Sequence, residues 1–115
     1  MVHFRERRYQ EALTEFLAAA QANPSNALAA NNVGYTYFKM ERFSEAVQWY
    51  EKTIAIDPRR SIAHANLGDA LMKLDRRDEA RAAYEKFFAL SPPQNRYTTT
   101  VRERLTSLGG GTRPQ

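Results

Sequence analysis

Residues 31–58 read NNVGYTYFKMERFSEAVQWYEKTIAIDP, and residues 65–92 read ANLGDALMKLDRRDEARAAYEKFFALSP. The two stretches align without a gap at a shift of 34 residues, and the same shift relates Pro24 to Pro58 and Pro58 to Pro92. It also relates residues of matched size: Gly34 with Gly68, Ala12 with Ala46 and Ala80, and Phe16 with Tyr50 and Tyr84. A fixed period of this length is typical of stacked copies of one supersecondary unit.

Each repeat is predicted to contain two α-helices. Apolar side chains recur three and four residues apart, as one face of a helix requires. In the first complete repeat they are Ala30, Val33, Gly34 and Tyr37, then Phe43, Ala46, Val47, Tyr50 and Ile54. Proline lacks an N–H group and clashes with the preceding turn, so the repeated prolines predict helix ends near Ala22, Ile56 and Leu90. Polar side chains suited to capping the helix starts are Ser25, Ser44, Ser61 and Asp78.

The composition is that of one domain without cysteine chemistry. The chain has 115 residues, 43% of them hydrophobic and none of them cysteine. This length suits a single core, and the lack of cysteine excludes disulfides, thiolate metal sites and cysteine nucleophiles. The sequence has neither the run of about 20 apolar residues that crosses a membrane nor a visible secretory signal. We therefore expect a cytoplasmic protein that does not insert into membranes.

The small and large positions of the two quoted stretches resemble those of the tetratricopeptide repeat family. The resemblance covers roughly residues 8–94. It implies an all-α fold, a right-handed α-solenoid of antiparallel helix hairpins with 34-residue repeats. The predicted units are an incomplete first repeat that is mainly its second helix (residues 1–24), two full repeats (residues 25–58 and 59–94), a C-terminal capping helix (residues 95–108) and a disordered tail (residues 109–115).

The first repeat is predicted to lack most of its first helix, with only residues Met1 to Arg7 to stand in for it. The apolar face of its second helix would then be only partly covered, and an exposed face of this kind commonly marks an interface. We therefore expect self-association, or pairing with a missing part of a longer protein, through Leu13, Phe16 and Leu17.

The family resemblance implies a concave groove that is lined by first helices and binds a peptide. The predicted groove residues are Leu28, Asn31, Asn32, Tyr35, Lys39, Ile62, Asn66, Asp69, Met72 and Lys73. Asn32 and Asn66 are equivalent, and their amides would either bond a peptide backbone or stabilise neighbouring helices. The family's carboxylate clamp, which captures chaperone C-termini, needs lysine and arginine where this chain has Leu28, Ile62 and Asn66. Capture of a chaperone tail is therefore disfavoured.

The net charge of +4 raises the question of nucleic acid. Arg8, Arg42 and Arg76 recur with the repeat period, but acidic residues lie between them and dilute the field. No groove of interleaved basic and aromatic residues accompanies them. A solvated edge is the favoured interpretation, followed by an acidic protein partner, and nucleic acid is the least favoured.

No catalytic constellation is visible in the sequence. It has no Gly-rich phosphate loop, no Ser-His-Asp set and no metal motif, and His64 is interpreted as a packing residue. We expect no catalytic residues, no metal and no cofactor. The predicted function is a non-catalytic protein-protein interaction module, an adaptor or assembly scaffold that binds a peptide in its groove. The alternative is a regulatory or oligomerising segment of a larger enzyme or complex.

Overall fold

The computed structural model describes the backbone of residues 2–90 and 98–108, with side chains from residue 5 onward. Within these residues there are six helices and no strands: α1 (Val2–Ala22), α2 (Ala27–Lys39), α3 (Phe43–Ile56), α4 (Ser61–Lys73), α5 (Arg77–Leu90) and α6 (Thr98–Ser107). Each helix packs against the next one along the chain. The architecture is an all-α solenoid of helix hairpins, as the repeat predicts.

The helix ends agree with the steric effect of proline. α1 ends at Ala22 and α3 at Ile56, each two residues before a proline, and α5 ends at Leu90. The predicted ends near Ala22 and Ile56 are confirmed, whereas the residues that follow Leu90, 91–97, lie outside the described part of the chain. Proline forces the chain to turn at these points because it has no N–H group to continue the helical bonding.

The helix starts differ from the predicted N-caps. α2 is capped by Asn26, whose Oδ1 accepts a backbone hydrogen bond of 3.0 Å from the residue three positions on, so Ser25 lies outside the helix. Ser61 is the first residue of α4 and Ser44 the second of α3, and neither helix has a side-chain cap bond. Asp78 lies inside the first turn of α5. A one-residue shift in helix start is enough to remove a capping role.

The starts of α3 and α5 carry an ion pair that repeats with the period. Arg76 Nε donates to Glu79 Oε1 at 2.6 Å, and Arg42 pairs in the same way with Glu45. The hydrogen bond from Arg76 holds the pKa of Glu79 below its ordinary value. Arg42, Arg76 and Glu79 are exposed, and Glu45 is partly buried. This agrees with a solvated edge at Arg42 and Arg76, two of the three arginines that recur with the repeat period.

The turn inside each hairpin contains a residue with left-handed backbone. Glu41 has a φ of 62° and Asp75 a φ of 59°. The next N–H, that of Arg42, donates to the carbonyl of Tyr37 at 2.9 Å, and the equivalent bond forms in the second hairpin. This conformation satisfies carbonyl groups that the end of a helix leaves free.

Each hairpin is closed by a tyrosine ring against a glycine. A Cβ built on Gly34 would lie 2.7 Å from Tyr50 Cε1, and a Cβ built on Gly68 would lie 2.7 Å from Tyr84 Cδ1. The two tyrosines are fully buried, with exposures of 1% and 0%. The missing glycine side chain is therefore what allows the two helices to approach around the ring.

A continuous core joins α3 to α6. Its buried members are Ala46, Val47, Tyr50, Ala65, Ala70, Leu71, Ala80, Ala83, Tyr84, Phe87, Val101 and Leu108. His64 is buried too, with Nε2 3.1 Å from the carbonyl oxygen of Pro58, which confirms it as a packing residue. α6 contributes Val101, and Leu108 follows directly after the helix. The predicted start of the capping helix at residues 95–97 and the predicted disordered tail at 109–115 lie outside the described residues.

α1 is one continuous helix of 21 residues. Residues 2–7, which were expected to stand in for the first helix of the incomplete repeat, continue the same helix. The segment Val2–Ala22 contains neither glycine nor proline, so nothing in it ends the helix. No helix in residues 2–90 and 98–108 combines the length and the apolar character needed to cross a membrane.

Candidate functional site

The predicted groove residues all lie on α2 and α4. Four of them are exposed: Leu28, Tyr35, Lys39 and Lys73. The rest are partly buried: Asn31, Asn32, Ile62, Asn66, Asp69 and Met72. None is completely buried, so every one of them keeps some contact with solvent.

The exposed apolar surface is concentrated on α2. Leu28 is 56% exposed and Tyr35 is 50% exposed. They are the exposed large hydrophobic side chains of the described part of the chain. The two residues are seven positions apart, which places them on one face, about 10 Å apart along the helix axis. α2 therefore presents two apolar side chains to solvent, with Asn31 and Asn32 between them.

A hydrogen bond between asparagines connects the two helices. Asn66 Nδ2 donates to Asn31 Oδ1 at 3.3 Å, so the partner of Asn66 is not its periodic equivalent. Asn32 instead accepts at its backbone carbonyl from Thr36 Oγ1 at 2.8 Å. The equivalent asparagines therefore do not form a direct pair, because the offset between α2 and α4 brings Asn66 beside a neighbouring position.

A small pocket opens between the two repeats. It is lined by Tyr35, Phe38, Tyr50, Asn66 and Asp69 and has a volume of about 20 Å³. This space suits a single water molecule, whereas small-molecule sites are usually about 300 Å³ or larger. Burial raises the pKa of Tyr50, and the carboxylate of Asp69 raises it further.

Asp69 is held by two neighbouring helices. Tyr84 of α5 donates its hydroxyl to Asp69 Oδ1 at 2.6 Å, and Arg104 of α6 donates Nη1 to both carboxylate oxygens at 2.6 Å. Sequence reasoning missed Arg104, and the repeat offers no signal for it because the residue 34 positions earlier is alanine. A carboxylate that was predicted to face a ligand is thus already paired within the protein.

Two lysines lie at equivalent positions near the ends of the first helices. Lys39 Nζ is 5.7 Å from the ring centroid of Tyr35, and Lys73 Nζ is 6.0 Å from that of Phe43. Among the described residues, no carboxylate forms an ion pair with either lysine. After Asp69 is paired, the charge left on the groove residues is positive.

The residues predicted for self-association lie on α1. Leu13 is 6% exposed and so belongs to the buried residues, whereas Phe16 and Leu17 are partly buried. The described residues contain no cluster of three or more histidine or acidic side chains able to hold a metal ion.

Several solved structures share this fold. The first TPR of Spaghetti (RPAP3) bound to HSP90 peptide SRMEEVD is 24% identical, with a TM-score of 0.79 over 93% of this chain and 85% of that one. The second TPR of the same protein, bound to the same peptide, is 28% identical, with a TM-score of 0.71 over 76% of this chain and 82% of that one. The Yersinia enterocolitica type III secretion chaperone SycD, in complex with a peptide of the translocator YopD, is 15% identical, with a TM-score of 0.85 over 92% of this chain and 83% of that one.

No match was found among curated proteins. Two family models, both described as tetratricopeptide repeat, match residues 1–61 and residues 37–98. Each covers more than half of the 115 residues, and their overlap contains the hairpin turn and second helix of the first complete repeat. The chain belongs to the tetratricopeptide repeat family.

Proposed function

We propose that this chain is a non-catalytic interaction module, an adaptor or assembly scaffold, that binds a peptide segment of a partner protein along α2 and α4. The observation that carries the proposal is the exposure of Leu28 and Tyr35, 56% and 50%, on one face of α2. Large apolar side chains that stay in water on one face of a helix favour a partner that covers them. A cytoplasmic location is part of the proposal.

The chemistry of the groove indicates what the peptide should carry. Apolar side chains of the peptide would cover Leu28 and Tyr35. Its backbone would bond the side-chain amide of Asn32, which offers donors and an acceptor, and the amide N–H groups of Asn31, whose Oδ1 already accepts from Asn66. The lysines favour acidic groups in the peptide, since Asp69 is already neutralised by Arg104. We therefore propose a segment that combines apolar and acidic side chains.

The solved relatives support a peptide as the partner. The two Spaghetti domains were solved with an HSP90 peptide, and SycD with a translocator peptide. We do not extend the HSP90 peptide to this chain, because Leu28, Ile62 and Asn66 occupy the places where the family's carboxylate clamp needs basic residues. The proposed ligand is an internal segment rather than a chaperone tail.

Selection from a random peptide library, followed by affinity measurement, tests the proposal. Selected peptides should contain apolar and acidic residues and should lose at least about tenfold in affinity, 1.4 kcal/mol, for the double variant Leu28→Ala/Tyr35→Ala. The control is Trp49→Ala, which removes an aromatic side chain from α3, outside the groove. Peptides that bind both variants equally, or a library that yields no binder, would overturn the proposal.

The peptide SRMEEVD is the second probe. Our proposal expects no measurable binding of this peptide at concentrations where the selected peptides saturate the protein. Tight binding that is lost with a blocked C-terminal carboxylate would instead establish tail capture, and would show that the groove has a clamp built from other residues.

A further inference from the structure

The two complete hairpins differ in how they satisfy the hydroxyl of their buried tyrosine. Tyr50 and Tyr84 are equivalent in the repeat, and both are fully buried, with exposures of 1% and 0%. Tyr84 donates its hydroxyl to Asp69 Oδ1 at 2.6 Å. The hydroxyl of Tyr50 forms no hydrogen bond with any residue that the structure describes. A polar group in a buried side chain usually has a hydrogen-bond partner, so this hydroxyl requires an explanation.

One difference between the repeats accounts for the missing bond. The residue of the first repeat that corresponds to Asp69 is Tyr35, whose side chain is 50% exposed. The second repeat therefore offers a carboxylate to its buried tyrosine, whereas the first repeat has a phenol at the same place. Tyr50 thus lacks the internal acceptor that Tyr84 has, and its hydroxyl remains free to bond a ligand.

The hydroxyl of Tyr50 lies towards the small pocket between the repeats, which is lined by Tyr35, Phe38, Tyr50, Asn66 and Asp69. Burial raises the pKa of Tyr50, and the charges of Asp69 and then of Tyr35 raise it further. Electrostatic effects weaken with distance, so the hydroxyl is the end of the ring that lies near these two pocket residues. Because Tyr35 is also exposed in the groove, a peptide in the groove passes the mouth of the pocket.

The hydrogen-bonding groups of the pocket define the ligand atom that suits it. Asn66 donates from Nδ2 to α2, and its Oδ1 can still accept. Asp69 Oδ1 accepts from Tyr84 and Arg104, whereas Oδ2 accepts from Arg104 alone among the described residues, so Oδ2 can accept once more. Tyr50 supplies a donor. The best ligand atom therefore accepts one hydrogen bond and donates another.

Size and charge select a hydroxyl group among the possible ligands. The volume of about 20 Å³ holds a single atom of the size of water. A carbonyl or carboxylate oxygen can only accept, and an ammonium group would find the charge of Asp69 already neutralised by Arg104. A side-chain amide carries its donor and its acceptor on two different atoms. The hydroxyl of serine or threonine has both on one oxygen.

We propose that the pocket between the repeats binds the hydroxyl of a serine or threonine side chain of the bound peptide, with Tyr50 as the residue that determines this specificity. The inference rests on the proposed function, and it adds one required side chain to the segment that lies along α2 and α4. A hydroxyl can make the same hydrogen bonds as a water molecule in this space, so its entry loses little binding energy.

Peptides selected from the random library give the first test. They should share a serine or threonine at one position. Exchange of that serine for alanine, or of threonine for valine, should weaken binding to the wild type at least about fivefold. The same exchange should matter much less for Tyr50→Phe, which lacks only the phenolic oxygen. The matched control is Tyr37→Phe, which removes a phenolic oxygen from α2 outside the pocket and should behave like the wild type.

The possible outcomes separate this inference from the proposed function. An equal loss with the wild type and with Tyr50→Phe would show that the hydroxyl binds elsewhere. Peptides that depend on Leu28 and Tyr35 but share no serine or threonine would overturn the hydroxyl pocket and leave the proposed function intact. A library that yields no binder would overturn both.

Phosphorylation of the shared peptide side chain gives the second test. A phosphate group is too large for the pocket and brings about two negative charges next to Asp69. The phosphopeptide should therefore bind the wild type at least about tenfold more weakly than the unmodified peptide. The same peptide with a phosphoserine added at one terminus is the control for charge alone. Unchanged or tighter binding of the peptide phosphorylated at the shared position would overturn the hydroxyl pocket.

Discussion

Arg104 on α6 donates from a single nitrogen, Nη1, to both carboxylate oxygens of Asp69 on α4, at 2.6 Å each. The same carboxylate accepts the hydroxyl of Tyr84 on α5. One acidic side chain thus joins three helices at the C-terminal end of the solenoid. The last helix buries only Thr98 and Val101, so we expect this polar contact to contribute to its attachment.

Removal of the arginine should loosen α6. Arg104→Ala is expected to lower the free energy of unfolding by about 1 kcal/mol, at the low end for a charged hydrogen bond because the arginine side chain is 42% exposed. A double-mutant cycle with Asp69→Asn, measured by denaturant unfolding, should show a coupling of similar size. Strictly additive effects would show that the contact contributes no stability.

Gly68→Ala should be destabilising although alanine favours helices. The added Cβ would lie 2.7 Å from Tyr84 Cδ1 and closer still to Cε1. Overpacking of this kind costs about 1–3 kcal/mol, more than the gain of about 1 kcal/mol in helix propensity. The loss should be smaller in a Tyr84→Leu background, and thermal unfolding of the four proteins would reveal it. Equal losses in both backgrounds would contradict the role of the ring.

Glu41→Gly should stabilise the protein. Glu41 has a φ of 62°, a conformation that costs a residue with a side chain about 1–2 kcal/mol and glycine very little. Allowing for the extra freedom of glycine in the unfolded chain, we expect a gain of about 0.5 kcal/mol in denaturant unfolding. Ser44→Gly, inside α3, is the control and should lose up to about 1 kcal/mol. A loss at both positions would disprove the expected relief of strain.

Stability should fall at alkaline pH. Burial raises the pKa of Tyr50 and of Tyr84 above the ordinary value of 10.0, so the folded state keeps both phenols protonated. The resulting stability is present below pH 10 and is lost as pH rises further, because tyrosine in the unfolded chain then ionises. The expected loss is about 1.4 kcal/mol per tyrosine per pH unit.

Tyr50→Phe provides the comparison for this titration. Removal of one of the two buried phenols should make the fall in unfolding free energy above pH 10 about half as steep. Effects of pH that are common to both proteins cancel in the difference. Parallel curves for the wild type and the variant would mean that ionisation of this tyrosine does not oppose folding.

The sequence could propose where a ligand would bind, because the family resemblance implies a groove lined by first helices. Leu28, Tyr35, Lys39 and Lys73 were predicted to line the groove, and each is exposed on a first helix. The sequence did not predict which of the groove side chains already have hydrogen-bond partners within the protein. Asn66 bonds Asn31, and Asp69 is bound by Arg104, a residue 35 positions away.

The sequence by itself determined the repeat, the helical class and the helix ends before Pro24 and Pro58, because periodicity and proline sterics act over one or two turns of chain. Only the tertiary structure decided which groove groups are already paired and which remain available to a ligand. Those outcomes depend on the offset and rotation between helices, which place side chains from distant parts of the chain within hydrogen-bonding distance. No local pattern of residues encodes that placement.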